Sequence, residues 1–140
     1  MAFKGAVYAI ERDGEACGLI ETNRKKFGTE NVHVVSGFAP EAMADLPAPT
    51  HVFIGGSGGN MKDIVEAVFS KSPKARIVIN TIALESSAEA LDIVNTMAVE
   101  DVEITHLTVA KSRKVGRYSM MTGNNPVTIT SFTGSGKRCV

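Results

Sequence analysis

Hydrophobic and polar positions in the first third of the chain follow two different periods. Short runs rich in β-branched residues predict strands, whereas apolar residues recurring every three or four positions predict helices. One strand is predicted over Gly5–Ile10, followed by a helix from the N-cap Asp13 to Gly28. A second strand over Asn31–Ser36 and a short helix beginning near Ala39 complete this pattern.

The same order of elements then repeats. His51–Ile54 is predicted to be a strand, Gly55–Gly59 a tight loop, and the segment after it a helix. Ala75–Ile82 is almost continuously apolar, which is typical of a parallel strand covered by helices on both faces. Ser86 and Glu89 have the spacing of a capping box and predict the start of the next helix. The predicted inward positions of that helix are Ala90, Leu91, Val94 and Met97.

The last part of the chain changes from helical to alternating patterns. Val102–Ala110 and Val127–Phe132 alternate apolar and polar residues, with a third run near Tyr118–Met121. These runs predict an antiparallel hairpin or meander. The complete pattern indicates an α/β fold with a doubly wound sheet and antiparallel C-terminal strands, in a single domain over residues 1–140.

Composition excludes several classes of protein. The chain is 44% hydrophobic, and its 15 Lys and Arg residues balance 15 Asp and Glu residues. A net charge of zero lacks the positive footprint of nucleic-acid or anionic-membrane binding, so we expect neither partner, and any charged ligand must be bound by a local group of residues. No apolar run approaches the roughly 20 residues that cross a bilayer, and no signal peptide is visible, so we expect a cytoplasmic protein.

Ligands of open α/β sheets bind beyond the carboxyl ends of the strands, which makes those positions the first candidates. Glu11 follows the first strand, where a carboxylate can accept hydrogen bonds from the two hydroxyls of a ribose. The alternative is a solvated acid or an ion-pair partner for Arg12 or Arg24. Sequence alone leaves both open.

The loop Gly55–Gly59 contains four glycines in five residues. Such a loop exposes backbone N–H groups and allows close approach of a flat or anionic ligand at the start of a helix. The alternative is a strained turn without a ligand. A binding role is favoured because a plain turn needs only one or two glycines.

A basic cluster, consisting of Lys111, Arg113, Lys114 and Arg117, lies between the two alternating strands. It is either a solvated edge that opposes aggregation or a clamp for a ligand with several carboxylates. The three histidines have no metal-ligand spacing, so no metal site is predicted. No nucleophile and base are paired by the sequence, and the catalytic residues are therefore unassigned.

Several of these segments together resemble one family, the decarboxylating precorrin C-15 methyltransferases of cobalamin (vitamin B12) biosynthesis. That enzyme occurs freestanding or as the C-terminal domain of precorrin-6Y C5,15-methyltransferase. The resemblance covers nearly the whole chain, and its most specific part is FIGGSGG. The segments that carry it are VYAIERD (Val7–Asp13), APEA (Ala39–Ala42), FIGGSGGNM (Phe53–Met61), RIVINTIALE (Arg76–Glu85), the pair Met120 and Met121, and NPV (Asn125–Val127).

The resemblance implies a Rossmann-like class I methyltransferase that uses S-adenosylmethionine (SAM). Its implied reaction is methylation of a corrin precursor at C-15 with decarboxylation of the ring C acetate, and a homo-oligomer is expected. The implied cofactor-binding residues are Glu11, Arg12, Gly37, Phe38, Ala39, Gly55 and Gly56. The implied substrate-binding residues are Ser57, Gly58, Gly59, Asn80, Thr81, Glu85, Lys111, Arg113 and Arg117.

Two departures from the family pattern have consequences. Phe38 stands where relatives often have an acid that bonds the adenine amino group, so stacking or apolar contact is expected to replace that bond. The family's first strand, its glycine-rich SAM loop and most of its first helix have no counterpart here, and Met1–Gly5 matches only the end of that helix. That strand is central, so its loss is expected to separate the first strand pair from the second.

Two further functions are compatible with the sequence. The chain could be a nucleotide-binding α/β module without catalysis, or an inactive remnant that serves as an assembly subunit. Preference for SAM over ATP and NAD distinguishes the methyltransferase from both.

Overall fold

The structure is a computed structural model that describes residues 5–136. The chain divides into two compact units, Met1–Pro47 and Ala48–Val140. Most of the segment compared above with the end of the family's first helix lies outside the described residues. The expectation of a single domain stays a prediction.

The first unit is built on two parallel strands. Its elements are β1 (Val7–Glu11), α1 (Gly14–Phe27), β2 (Val32–Ser36) and a 3-10 turn (Glu41–Met43). β1 pairs in parallel with β2, so that Glu11 lies opposite Ser36 at the carboxyl ends. The predicted helix boundaries are confirmed: the Asp13 side chain accepts a hydrogen bond from Ala16 N, and Gly28 closes the helix with a left-handed φ of 63°.

The second unit contains a four-stranded sheet with two helices. Its first elements are β3 (His51–Ile54), α2 (Met61–Lys71), β4 (Arg76–Thr81) and α3 (Leu84–Thr96). β5 (Val99–Leu107), β6 (Ala110–Val115), β7 (Tyr118–Gly123) and β8 (Val127–Gly134) follow. The sheet order is β3-β4-β8-β5, with β3 and β4 parallel and the other two pairings antiparallel. The predicted antiparallel ending is therefore confirmed.

Buried apolar side chains of α2, α3 and the sheet form the core of this unit. Phe132 on β8 is completely buried, and its ring meets the Phe69 ring edge to face at a centroid distance of 6.3 Å. The predicted stripe of α2 is confirmed, because its buried residues are Met61, Ile64, Val65 and Val68. The β4 and α3 residues of this core are Ile77, Ile79, Ala90 and Ile93.

The capping box predicted for α3 is wrong. α3 begins at Leu84, its N-cap is Ala83, and no side chain caps it. Glu89 accepts a hydrogen bond from Lys62 N of α2 instead, at 3.3 Å. The predicted inward face is confirmed at Ala90, which is buried, but wrong at Leu91, which is 49% exposed, and Ile93 is buried instead.

β5 begins three residues earlier than predicted because a β-bulge interrupts its alternation. The register to β8 shifts between Glu100 and Glu103, and Asp101 has a positive φ of 53°. Arg76 of β4 donates a hydrogen bond to Asp101 O at 3.2 Å. An extra residue in one strand shifts the alternation of apolar and polar positions. The alternation after the bulge therefore did not predict the first three residues of β5.

β6 and β7 form a separate two-stranded sheet, a hairpin with Gly116 and Arg117 as its turn residues. Every residue of both strands is exposed, including Val115, Tyr118, Met120 and Met121. A two-stranded hairpin with both faces in solvent is marginally stable by itself.

The two parallel strand pairs belong to different sheets, as predicted. Among the described residues, β1 pairs only with β2, and β3 pairs only with β4. One edge of β1 and one edge of β3 therefore present backbone N–H and C=O groups without a strand partner in the described part of the chain.

The helices of the described segment are short: α1, the longest, has 14 residues. None of them combines the length and apolar character needed to span a membrane.

We expect Phe132→Ala to lower the free energy of unfolding by about 3–5 kcal/mol, because it leaves a cavity in the core. Phe53→Ala is the matched control on the same sheet, since Phe53 is 66% exposed. Its cost should be about 1 kcal/mol or less. Urea denaturation of both variants measures the difference, and equal losses would contradict the assignment of Phe132 to the core.

Candidate functional site

Glu11 lies at the carboxyl end of β1 and is fixed by the turn that follows it. Its Oε1 accepts hydrogen bonds from Arg12 N at 2.8 Å and from Asp13 N at 2.9 Å. Its carbonyl oxygen accepts a hydrogen bond from Gly37 N at 3.0 Å. The turn after β1 and the loop after β2 are thereby joined through a single residue.

The second carboxylate oxygen of Glu11, Oε2, has no hydrogen-bond partner among the described residues. Arg24, considered above as an ion-pair partner, instead bridges Glu21 at 2.9 Å. The Arg12 side chain points to Phe38, with its guanidinium carbon 5.7 Å from the ring centroid. Glu11 can therefore accept hydrogen bonds from a ligand without first breaking an ion pair.

The loop after β2 places Phe38 beside this acid. Phe38 is 60% exposed, and its carbonyl accepts a hydrogen bond from Ala42 N at 2.7 Å. A Cβ on Gly37 would lie 3.0 Å from the Ala42 Cβ, so the loop has no room there for a larger residue. Together, Glu11, Arg12, Gly37, Phe38 and Ala39 form a contiguous group at the carboxyl ends of β1 and β2.

A cavity of about 290 Å³ lies at the carboxyl ends of β3 and β4, in the second unit. This position is the one that open parallel sheets use for ligands. None of the described residues that line the cavity is charged. It brings together five of the predicted residues, Gly55, Gly56, Ser57, Asn80 and Thr81, with Ile54, Met61, Ile82, Ser86 and Val127.

The remaining predicted residues of this region do not line the cavity. Gly58 and Gly59 have φ values of 62° and 93° and form the turn that leads into α2. These left-handed conformations are unfavourable for residues with a side chain. Glu85 is exposed in the first turn of α3.

The floor of the cavity includes Thr81, a buried residue that is 4% exposed. Its Oγ1 lies 2.7 Å from Ser87 Oγ, and Ser87 Oγ donates to Ala83 O at 3.1 Å. Sequence reasoning used Ser86 only as part of a predicted capping box and assigned neither Ser86 nor Ser87 to the site. Their place in the first turn of a helix that follows a parallel strand could have indicated them.

The basic cluster lies on the hairpin and does not line the cavity. Lys111 and Arg113 are two residues apart on β6 and share a face, whereas Lys114 is on the opposite face. Arg117 is in the hairpin turn, and its guanidinium carbon lies 5.1 Å from the centroid of the Tyr118 ring.

Side chains that bind metals are dispersed over residues 5–136. Within that range, no three His, Cys, Asp or Glu residues converge on a point that could hold a metal ion. His33, for example, stacks on Tyr8 at a centroid distance of 5.3 Å.

Comparison with known proteins identifies the family. Residues 2–134 match the family model described as a precorrin methyltransferase domain. A protein of Pyrobaculum calidifontis named "Probable cobalt-precorrin-6B C(15)-methyltransferase (decarboxylating)" is 38% identical over 124 residues, which cover 88% of this chain. The chain spans 63% of the length of that relative.

Solved structures agree with this match. The crystal structure of precorrin-6Y C5,15-methyltransferase from Geobacter metallireducens is 37% identical, with a TM-score of 0.83 over 92% of this chain and 68% of that one. A SAM-dependent O-methyltransferase from Thermotoga maritima shares the fold at 15% identity, with a TM-score of 0.72 over 97% of this chain and 52% of that one. The chain therefore has the Rossmann-like α/β fold of these methyltransferases, and it belongs to the precorrin methyltransferase domain family.

Proposed function

We propose that this chain provides the methyltransferase domain of an enzyme that methylates a corrin precursor at C-15 and decarboxylates its ring C acetate. The reaction belongs to cobalamin biosynthesis, and we place it in the cytoplasm. The observation that carries the proposal is the oriented carboxylate of Glu11, with Oε2 available, in a turn that is hydrogen-bonded to the loop carrying the exposed Phe38. The names of the similar proteins supply the reaction.

We propose SAM as the cofactor and assign its nucleoside to the first unit. Glu11 Oε2 is suited to accept hydrogen bonds from the ribose hydroxyls, and Phe38 with Gly37 and Ala39 is suited to contact the base. The assignment of Gly55 and Gly56 to the same cofactor stays a prediction.

Methyl transfer from SAM requires little general acid–base catalysis from the protein. When bound, SAM supplies a methyl group on a sulfonium, which is already a good electrophile. The task of the residues around it is then to hold the acceptor carbon in line with that methyl group. Such orientation accounts for rate enhancement without a general base among the assigned residues.

The corrin precursor is the proposed small-molecule partner of the cavity residues. Ser57, Asn80, Thr81 and Ser86 provide hydroxyl and amide groups between apolar walls. The electron pair left by carbon dioxide can pass into the conjugated macrocycle, so the substrate itself serves as the electron sink. The basic residues Lys111, Arg113 and Arg117 are proposed to attract the carboxylates of the substrate.

We propose that the protein is a homo-oligomer and that the hairpin of β6 and β7 takes part in its assembly. Four large hydrophobic side chains of this hairpin are exposed, and both of its faces are open. Exposed apolar surface of this kind is typical of an interface.

A nucleotide-binding module without catalysis is the second candidate function. It is favoured by one observation: the described features suited to a nucleoside, Glu11 and Phe38, lie in one compact unit. Isothermal titration with SAM, ATP and NAD separates the two functions, because only the methyltransferase requires a preference for SAM.

We expect the 140-residue chain to associate through the unpaired edges of β1 and β3 and to bind SAM weakly. A longer chain that adds a strand ending in a glycine-rich loop should bind SAM and associate less, because that strand is both the sheet centre and the cofactor cradle. Static light scattering and SAM titration compare the two chains. Both contain the hairpin, so a difference reports on the added strand; a 140-residue monomer with micromolar SAM affinity would contradict the prediction.

We expect Glu11→Ala, made in the longer chain, to weaken SAM binding by about 1.5–3 kcal/mol, the range for hydrogen bonds to a charged group. Glu15→Ala is the matched control, because Glu15 is an exposed acid in the first turn of α1. Isothermal titration measures both. Unchanged affinity in Glu11→Ala would remove this residue from the site.

We expect Gly56→Val, made in the longer chain, to abolish turnover while changing the free energy of unfolding by no more than about 0.5 kcal/mol. A Cβ at Gly56 meets no atom within 4 Å, so the side chain enters the cavity without disturbing the core. Gly59→Val should instead lower stability by about 1–3 kcal/mol because of its positive φ. Turnover assays and urea denaturation separate these effects, and loss of folding in Gly56→Val would show a structural role.

A further inference from the structure

Phe38 and Arg12 form a pair whose geometry bears on which base the first unit accepts. The guanidinium carbon of Arg12 lies 5.7 Å from the centroid of the Phe38 ring, within the range of a cation–π interaction. The ring is 60% exposed, so much of its surface remains open to a ligand. We call this pair the shelf: the Arg12 guanidinium contacts the Phe38 ring, and the exposed part of the ring is available for stacking.

The backbone holds both members of this pair in place. Arg12 N donates to Glu11 Oε1, and Glu11 O accepts from Gly37 N, the residue before Phe38. Phe38 O accepts from Ala42 N in the 3-10 turn. These bonds fix the main chain beneath both side chains, and the cation–π contact adds a restraint on the ring itself.

The side chains that flank Phe38 in the chain lack groups that could read the edge of a base. A phenyl ring has no hydrogen-bonding atom, and the neighbouring side chains are those of Gly37 and Ala39. Stacking is tolerant of base identity because every base has a π face. In contrast, a site that hydrogen-bonds a substrate group rejects analogues without that group by large factors.

We propose that Phe38 holds the base at this site by stacking, without hydrogen bonds to its edge, and that Arg12 is a positioning residue that orients the Phe38 ring. The inference rests on the proposed function, since it assumes that a nucleoside binds with its ribose at Glu11. Its consequence is relaxed selectivity: the site accepts a purine nucleoside whether position 6 carries an amino group or an oxygen.

Adenosine and inosine are the probes that test this proposal by NMR titration of the longer chain described above. We expect the two nucleosides to bind within about threefold of each other and to shift the amide signals of Arg12 and Phe38. Phe38→Leu should weaken both by about tenfold, a value within the range of base stacking on an aromatic ring. Arg12→Leu should weaken both equally, and Arg12→Lys should restore most of the loss because it keeps the cation.

The chain offers a matched control in Phe27, which is 69% exposed with Lys26 Nζ 5.6 Å from its ring centroid. Phe27→Leu should leave both affinities unchanged. An equal effect of Phe27→Leu and Phe38→Leu would overturn the proposal, and so would the absence of shifts at Arg12 and Phe38.

Glu41 is the acid that could read the amino group instead, because it is exposed only three residues beyond Phe38. Preference for adenosine over inosine by more than about threefold would overturn the proposal, and loss of that preference in Glu41→Gln would assign it to Glu41. Titration of the longer chain with S-adenosylhomocysteine tests the proposed function separately. If it binds no more tightly than adenosine, the cofactor assignment fails while the shelf stands.

Discussion

Parallel pairing of neighbouring strands is the constraint on which both candidate sites depend. In a parallel pair the two carboxyl ends meet at the same edge, so the loops that follow them are neighbours however far apart they lie in sequence. β1 and β2 bring the turn after Glu11 next to the loop that carries Phe38. β3 and β4 bring the glycine loop next to Asn80 and Thr81 around one cavity.

The role of Glu11 illustrates how one residue can serve both structure and binding. Its Oε1 and its carbonyl oxygen are used to join two loops, while Oε2 remains available to a ligand. A carboxylate held by two backbone N–H groups loses little conformational freedom when a ligand binds, which favours affinity. The same arrangement explains why an acid that is partly exposed need not pair with a nearby arginine.

The second unit combines a sheet whose core residues are buried by helices with a hairpin whose residues are exposed. Its helices cover one set of sheet residues closely, as the complete burial of Ile77, Ile79 and Phe132 shows. Within residues 5–136, nothing covers the hairpin of β6 and β7 in this way, yet it carries Tyr118, Met120 and Met121 beside basic residues. Apolar side chains stabilise a protein only when they are removed from water, which is the physical basis for proposing that this hairpin takes part in assembly.

The sequence by itself determined the order of strands and helices and the family, because local periodicity and an ordered set of motifs are properties of neighbouring residues. The Asp13 cap, the αL residue Gly28 and the apolar stripe of α2 were all predictable for this reason. Only the tertiary structure decided that α3 begins at Leu84 without a capping box, that a bulge displaces the start of β5, and that Ser86 lines the cavity. Each of these depends on contacts between segments distant in sequence, such as that of Glu89 with Lys62 N, and local periodicity contains no information about such contacts.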